Sequence, residues 1–472
     1  MTQRRGRRLR RNLGILGNFA FGYADVAEGI YFTLGLVIIY AGAAATFAYL
    51  FATVAYVLTA TCYAELATVY HQAGGAFVYA RRAFGQNVAF LAAWALLLDY
   101  VVTTAISALA AIGYLGYFIH QLNSPLVIGS ATAASILLLM CLNIFGIAES
   151  AKFSYFLVLF NLAGMAVVLV TGYFFSYNPN LNAVHFGTSP TYPNFLYAIT
   201  IAMSSYLGIE VISQSAGETR RPAKNIPRAV FLISAATVIA ALSVSALAVG
   251  VRNVQDFVTN PTSINDPVAF LALALPDGPI LAALASFMGV SVLFVASNAG
   301  IVGASRITYA MSQDGAIPKA FGRLHRKYST PFIAIIIFSS ISVAIAFSGQ
   351  LDLAAQLYNF GALLAYVVVG LSLISLRNSD RALYRPFKTP GSITIRPFWR
   401  RKHDQIGESY VIPIIGVLSV IADLTVWLLV VFLHPLGRTF GSIWMGLGLL
   451  LFFAYTRIRK GEGPVPESAP QP

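Results

Sequence analysis

The sequence predicts an all-α polytopic membrane protein of twelve transmembrane helices, the first ten forming a five-plus-five inverted repeat in which helices one and six are broken. Three observations predict it. The first is composition: of 472 residues, 57% are hydrophobic and only 10% charged, where a soluble chain carries roughly 25% charged residues. The mean hydropathy is +0.72. A soluble enzyme, a disordered chain and a nucleic-acid-binding domain are excluded. The second is the distribution of positive charge. On a twelve-span count, 29 of the 31 Lys and Arg residues fall on one side, leaving Arg252 and Arg438 on the other. The third is a pair of polar, glycine-bearing interruptions at matching places in spans one and six.

A bilayer core needs about 20 apolar residues per helix. The segments that qualify in the first half are Gly14–Tyr40, Ala43–Tyr70, Val88–Tyr117, Leu126–Ile144, Phe153–Tyr173 and Phe195–Ser215. The second half supplies Ala229–Val251, Ile280–Met311, Phe332–Phe347, Leu353–Leu376, Val411–Leu433 and Ile443–Tyr455. An even number of spans puts both termini on one side, and the Lys/Arg excess makes that side cytosolic. The expected location is therefore the plasma membrane, multi-pass. The basic run Arg4 to Arg11 has no small-residue cleavage site after a short apolar core, so it reads as a cytosolic anchor rather than a secretory signal. The layout is a basic N-terminus (1–13), a first repeat (14–173), a second repeat (195–376), a cytosolic loop (377–409), two further spans (411–457) and a Pro-rich cytosolic tail (458–472). Residues 176–194 and 252–278, rich in Asn, Pro, Ser and Thr, read as extracellular loops. Cys62 and Cys141 sit in apolar segments and imply neither a disulfide framework nor a CxxC site.

Span one carries Gly22, Asp25, Glu28 and Gly29 at mid-depth, and span six carries Ser204-Ser205-Tyr206-Leu207-Gly208 followed by Glu210. Carboxylates near the bilayer centre cost a few kcal/mol each and are tolerated where backbone unwinds into a protein-lined cavity. Glycines alone would be explained by close helix packing, but packing does not account for Asp25 and Glu28. Spans one and six are five apart, so the second set of five is inverted relative to the first. Broken helices at matching positions of inverted halves mark a secondary transporter with a midplane site. The mid-depth charges are all acidic: Asp25, Glu28, Asp99, Glu210 and Asp423. All six His residues lie at span ends or in loops, which excludes a His-based proton relay and argues against a membrane-embedded metalloenzyme. Such a site suits a cationic substrate group, a coupling cation or a carboxyl group that carries a proton.

Four loop motifs then make the chain recognisable. They are Tyr63-Ala64-Glu65-Leu66-Ala67 with Gly74-Gly75-Ala76-Phe77-Val78-Tyr79; Gly217-Glu218-Thr219-Arg220-Arg221-Pro222 continuing to Pro227-Arg228; Ser305-Arg306 to Met311 with Asp314-Gly315-Ala316-Ile317-Pro318; and Tyr384-Arg385-Pro386-Phe387-Lys388-Thr389-Pro390. Over most of its length the chain resembles the amino acid–polyamine–organocation superfamily, amino acid permease type. It is nearest to cationic amino acid transporter-like members, through Leu98-Asp99-Tyr100-Val101 and Glu149-Ser150-Ala151-Lys152. The resemblance implies a LeuT-like fold working by alternating access, with spans one, three, six, eight and ten around the substrate. It implies a Gly-x-Gly turn facing a substrate carboxylate, and that turn reads Ala27-Glu28-Gly29 here. Where the subfamily can place a Lys nine residues past Lys152, this chain has Asn161, so coupling falls to a carboxylate, to sodium or to neither. Asp25 falls where potassium uptake permeases of the superfamily carry a cation-binding Asp.

The expected function is a secondary active permease, a symporter for amino acids or related amines, with an inorganic-cation (potassium-like) or polyamine transporter as the alternative. The candidate substrate residues are Ala24, Asp25, Ala27, Glu28, Gly29, Ile30, Thr103, Ser204, Ser205, Tyr206, Gly208 and Tyr358. The coupling-ion candidates are Asp25, Glu28, Asp99, Glu210 and Ser297. Thr104 and Asn298 are further polar groups on the expected lining spans. Glu65 and Asp423 read as structural. No catalytic residue, metal, cofactor or nucleic-acid partner is expected; the partners are a small-molecule substrate, a coupling proton or cation, and the lipid bilayer.

Overall fold

The computed structural model describes residues 14–460 apart from 73, 147–150, 215, 217–218 and 396–409. The N-terminal arginines, the tail beyond residue 460, and motif residues Glu149, Ser150, Gly217 and Glu218 lie outside the described residues. The chain is a bundle of helices. Ten described segments are long and apolar enough to cross a membrane, and Phe332–Ala346 is a shorter apolar helix.

In chain order the first half comprises α1 (Ile15–Ala27), α2 (Ile30–Ala41), α3 (Ala45–Val69), α4 (Ala76–Phe84), α5 (Gln86–Leu115), α6 (Pro125–Ile144) and α7 (Ala151–Phe175). It continues with α8 (Tyr192–Met203), α9 (Glu210–Gln214), α10 (Pro222–Val251), the short α11 (Val254–Thr259), α12 (Thr262–Asn265) and α13 (Pro267–Ala272), then α14 (Gly278–Gln313), α15 (Phe332–Ala346) and α16 (Leu351–Ser379). Strands β1 (Ser392–Ile395) and β2 (Tyr410–Pro413) pair antiparallel, Ser392 opposite Pro413, before α17 (Ile414–Leu433) and α18 (Pro435–Lys460). Proline opens α6, α10, α13 and α18, a position where its missing N–H leaves no intrahelical partner unsatisfied.

Burial sorts the helices. The apolar window of α5 is wholly buried, whereas that of α18 is 17% buried, so α5 is the axis of the bundle and α18 presents its apolar side outward. Small residues let neighbours approach α5 closely; Ala89, Ala92, Ala93 and Ala95 are all buried on it. Trp94 of α5 and Trp444 of α18 bind each other reciprocally, each indole N–H donating to the other's backbone carbonyl at 2.8 and 2.9 Å.

At the Arg/Lys-rich end, Glu65 of α3 is buried with both oxygens engaged. Arg377 of α16 grips it in a fork, Nε to Oε1 at 2.9 Å and Nη2 to Oε2 at 2.5 Å, while Arg385 Nη1 and the Thr389 N–H supply the remaining donors. This bidentate pair ties α3, α16 and the following loop together. Nearby, Arg82 of α4 holds Asp380 through two contacts, and Tyr70 donates to the same carboxyl. The Arg82 hydrogen bond holds the Asp380 carboxyl below its ordinary range.

Three expectations are corrected. Residues 252–278, expected as a loop, fold into α11, α12 and α13, because the apolar run Pro267–Ala272 is fully buried. The segment presses on α2 so closely that a Cβ on Gly35 would sit 1.8 Å from the Ser263 carbonyl oxygen. Tyr114 of α5 fastens it, donating to the Tyr31 carbonyl and accepting from the Val268 N–H. Second, span eleven starts at Ile414 rather than Val411, because Tyr410–Pro413 pairs with β1; the two-stranded ribbon is also a departure from an all-α chain. Third, the last helix begins at Pro435, not Ile443, its proline suited to a first helical position.

Candidate functional site

The two interrupted helices meet, and they are interrupted differently. Between α1 and α2, Glu28 and Gly29 keep right-handed backbone angles (φ −58° and −56°). The first break is thus one tight turn rather than the unwound stretch expected from the sequence. Between α8 and α9 the chain passes through a 3-10 turn, Ser204–Tyr206, then extended Leu207 and left-handed Gly208 at φ +105°. That positive φ suits glycine.

The breaks touch backbone to backbone. A Cβ on Gly29 would sit 2.3 Å from Ser205 Cα and 2.7 Å from the Ser204 carbonyl oxygen. A Cβ on Gly208 would sit 2.8 Å from Asp25 Oδ2. Hydroxyls complete the seam: Thr33 of α2 meets Ser205 Oγ at 2.5 Å and Tyr49 OH at 2.7 Å. Asn359 of α16 donates to the Thr200 carbonyl and to Ser204 Oγ, at 2.6 and 2.8 Å.

Asp25, Glu28, Asp99 and Glu210 are all buried, and Asp99 lies within electrostatic range of the other three. Glu210 Oε2 accepts from Tyr366 OH at 2.7 Å, and the same phenol accepts the Gly208 N–H. Both Glu28 oxygens and Asp99 Oδ1 are buried without a hydrogen-bond partner; Ser107 faces Glu28 yet its hydroxyl is also unpartnered. Among the described residues the ion pairs are made by Glu65, Asp314 and Asp380, and none involves these four acids. No described group of three or more His, Cys, Asp and Glu converges to hold a metal ion. Unpaired buried carboxyls are expensive. A site of this kind gains by accepting protons or a ligand cation.

The other candidates divide. Ala24, Ala27 and Ile30 are buried along the first break. Tyr358 of α16 lies over Phe32, ring centroids 6.1 Å apart, close to Thr103 and the acids. Thr103 and Thr104 turn their hydroxyls back onto the Asp99 and Tyr100 carbonyls of their own helix. Tyr206 faces α3, stacked on Tyr56 and accepting from Thr53. Ser297 donates to the Thr104 carbonyl at 2.9 Å, so its hydrogen goes to α5 and not to the first break. Asn298 accepts from Asn143 of α6. Asn161, where the resemblance raised a Lys, bridges the break instead: it donates to Tyr31 OH on α2 and faces Tyr23 OH on α1.

Sequence reasoning missed Asn359 and Tyr366 as partners of the second break. They stand seven residues apart on α16, two turns along one face, and that spacing on an expected lining span was the available signal.

Many apolar helices around a buried, acid-lined junction of two interrupted helices define a multi-pass membrane protein. The family model described as "Amino acid permease" matches residues 13–452, and the chain belongs to that family. A methylthioribose transporter of Bacillus subtilis is 27% identical over 407 residues, covering 82% of this chain and 80% of the relative. A branched-chain amino acid permease of the same organism is 24% identical over 471 residues, covering 95% and 94%. A low-affinity putrescine importer of Escherichia coli is 27% identical over 411 residues, covering 84% and 82%.

Proposed function

We propose that the protein is a proton-coupled secondary active permease for amino acids or related amines, working by alternating access in the plasma membrane with both termini cytosolic. The observation that carries this reading is the junction itself. Two interrupted helices meet at Gly29 and Ser205, and four buried carboxyls gather there, none of them in an ion pair among the described residues. A substrate ammonium supplies the missing positive charge, and Asp25, Glu28 or Asp99 supplies the coupling proton's seat.

The span count supports the twelve-helix, five-plus-five arrangement. The first apolar segment, Ile15–Val69, has 55 residues; at 1.5 Å per residue it would be about 80 Å long if straight, so it holds two spans. With that segment counted twice and Phe332–Ala346 added, the ten long segments make twelve. The breaks then fall in spans one and six.

The test is uptake into proteoliposomes under an inward acid gradient. The gradient drives accumulation in the wild type, and Asp25→Asn and Glu28→Gln abolish the dependence. Full dependence in both variants overturns proton coupling through these residues. A second reading, a polyamine or potassium-like transporter, is favoured by Glu28 in the turn where an amino acid carboxylate is expected, and by the relative named as a putrescine importer. It requires that a diamine or potassium be accumulated while neutral amino acids neither move nor compete.

A further inference from the structure

Asp423 lies midway along α17 and belongs to none of the groups above. It is fully buried against α3. Its Oδ2 is 2.6 Å from Thr59 Oγ1 and 3.0 Å from Ser419 Oγ, and those two hydroxyls are 3.1 Å from each other. The three oxygens thus close a triangle in which every edge is a hydrogen-bond distance. Its other oxygen, Oδ1, is buried without a partner.

Counting hydrogens decides the state of this group. Three O···O edges need three hydrogens, and Thr59 and Ser419 supply two. With an ionised carboxylate both hydroxyls point at Oδ2, the edge between them is empty, and Oδ1 is a bare anionic oxygen in apolar surroundings. With a proton on Oδ2 each edge holds one hydrogen: Oδ2–H to Thr59, Thr59 to Ser419, Ser419 to Oδ2. Oδ1 is then a neutral carbonyl oxygen, the kind of acceptor that most often goes under-satisfied in proteins. A metal cation is a poor alternative, because it needs several oxygen ligands and Oδ1 has no hydrogen-bond partner among the described residues.

We propose that Asp423 is a proton-binding site at the α3–α17 interface, separate from the four central acids and closed by Thr59 and Ser419. The groups facing it fit this assignment. From α3 come Cys62 and Tyr63, and toward the end of that helix Glu65, whose charge is matched by Arg377 of α16 and by Arg385. Helix α8 also packs on α17, where its Tyr197 stacks on His434 at the far end of that helix. No described basic group pairs with Asp423. Tyr63, its hydroxyl buried and unpartnered, lies within electrostatic range of both Asp423 and Glu210.

The test is infrared spectroscopy of the purified full-length protein at neutral pH, following the C=O stretch of protonated carboxyl groups and its shift on transfer to heavy water. Asp423→Asn removes one protonated-carboxyl component; an unchanged spectrum overturns the proposal. Thr59→Val, nearly isosteric, removes the acceptor of the acid proton and displaces the same component, whereas an unmoved band overturns it. Glu28→Gln leaves that component in place, so failure of the central-site reading and failure of this one are separable; its loss in Glu28→Gln counts against a separate site.

Discussion

Gly29→Ala is a demanding perturbation of the junction. The added methyl carbon would lie 2.3 Å from Ser205 Cα, 2.7 Å from the Ser204 oxygen and 3.0 Å from the Ser205 nitrogen, while ordinary contact begins near 3.4 Å. All three neighbours are backbone, so no side chain can rotate away. The breaks must separate by about 1 Å, and overpacking of this kind costs typically 1–3 kcal/mol. If that strain falls on the state in which the breaks touch, it lowers that state's population by roughly 5- to 150-fold, at 1.4 kcal/mol per tenfold. The assay is initial uptake in proteoliposomes, with substrate-induced thermal stabilisation measured in parallel. Uptake falls by at least fivefold and the stabilisation weakens, while the protein still purifies as a monodisperse species. Gly446→Ala, where nothing lies within 4 Å of the new carbon, leaves both unchanged. Wild-type uptake in Gly29→Ala would refute the claim that the junction is the working contact.

Further outcomes follow from the same geometry. Glu65→Gln keeps the shape but strands the Arg377 and Arg385 guanidinium groups; breaking a buried pair costs about 3–5 kcal/mol, which a thermal melt reads as a large loss of stability. Arg82→Ala removes the donor that holds the Asp380 carboxyl below its ordinary range. A depressed carboxyl pKa contributes stability above the unfolded value and loses it as pH falls through the folded one. The difference between wild type and variant is therefore present at neutral pH, begins to shrink in acid melts below about pH 4 and is gone only once the folded carboxyl is itself protonated. His434 is buried against Tyr197, and burial lowers its pKa to about 4 from 6.5. Between those values the unfolded chain binds a proton that the folded ring refuses, so stability falls as pH drops from 6.5 toward 4. His434→Gln flattens that part of a melting-temperature profile, and an unchanged acid slope would show that the ring is not its source.

Much of this was legible in the sequence, for identifiable reasons. Long apolar runs and the one-sided Lys/Arg distribution are strong, one-dimensional signals, and they located the long helices but not all their ends, the last one starting at Pro435 instead of Ile443. The acids Asp25, Glu28, Asp99 and Glu210 stood out because charge is rare in such segments, and the fold brings them together. Partner choice was not legible. Whether Ser297 turns to the first break or to Thr104, and whether Tyr206 faces the acids or Tyr56, depends on helix rotation, which a nearly all-apolar helix does not encode in its period. The short helices after Val251 were hidden for a different reason. Their Asn, Pro and Thr residues read as loop, while the burial of Pro267–Ala272 depends on an α2 surface that only the folded chain supplies. The triangle around Asp423 was not legible either, because Thr59 lies 364 residues away in sequence while Ser419 is one turn away on the same helix.

On the proposed function, the four-acid junction binds the positively charged amine of its substrate. The most direct measurement is a thermal-shift titration of the purified protein with neutral amino acids, cationic amino acids and short diamines, each beside its N-acetylated counterpart, because a ligand of the folded state raises apparent stability. Saturable stabilisation by an amine-bearing compound is expected, lost when the amine is acetylated and lost in Glu28→Gln. Equal stabilisation by the acetylated and free forms would contradict it.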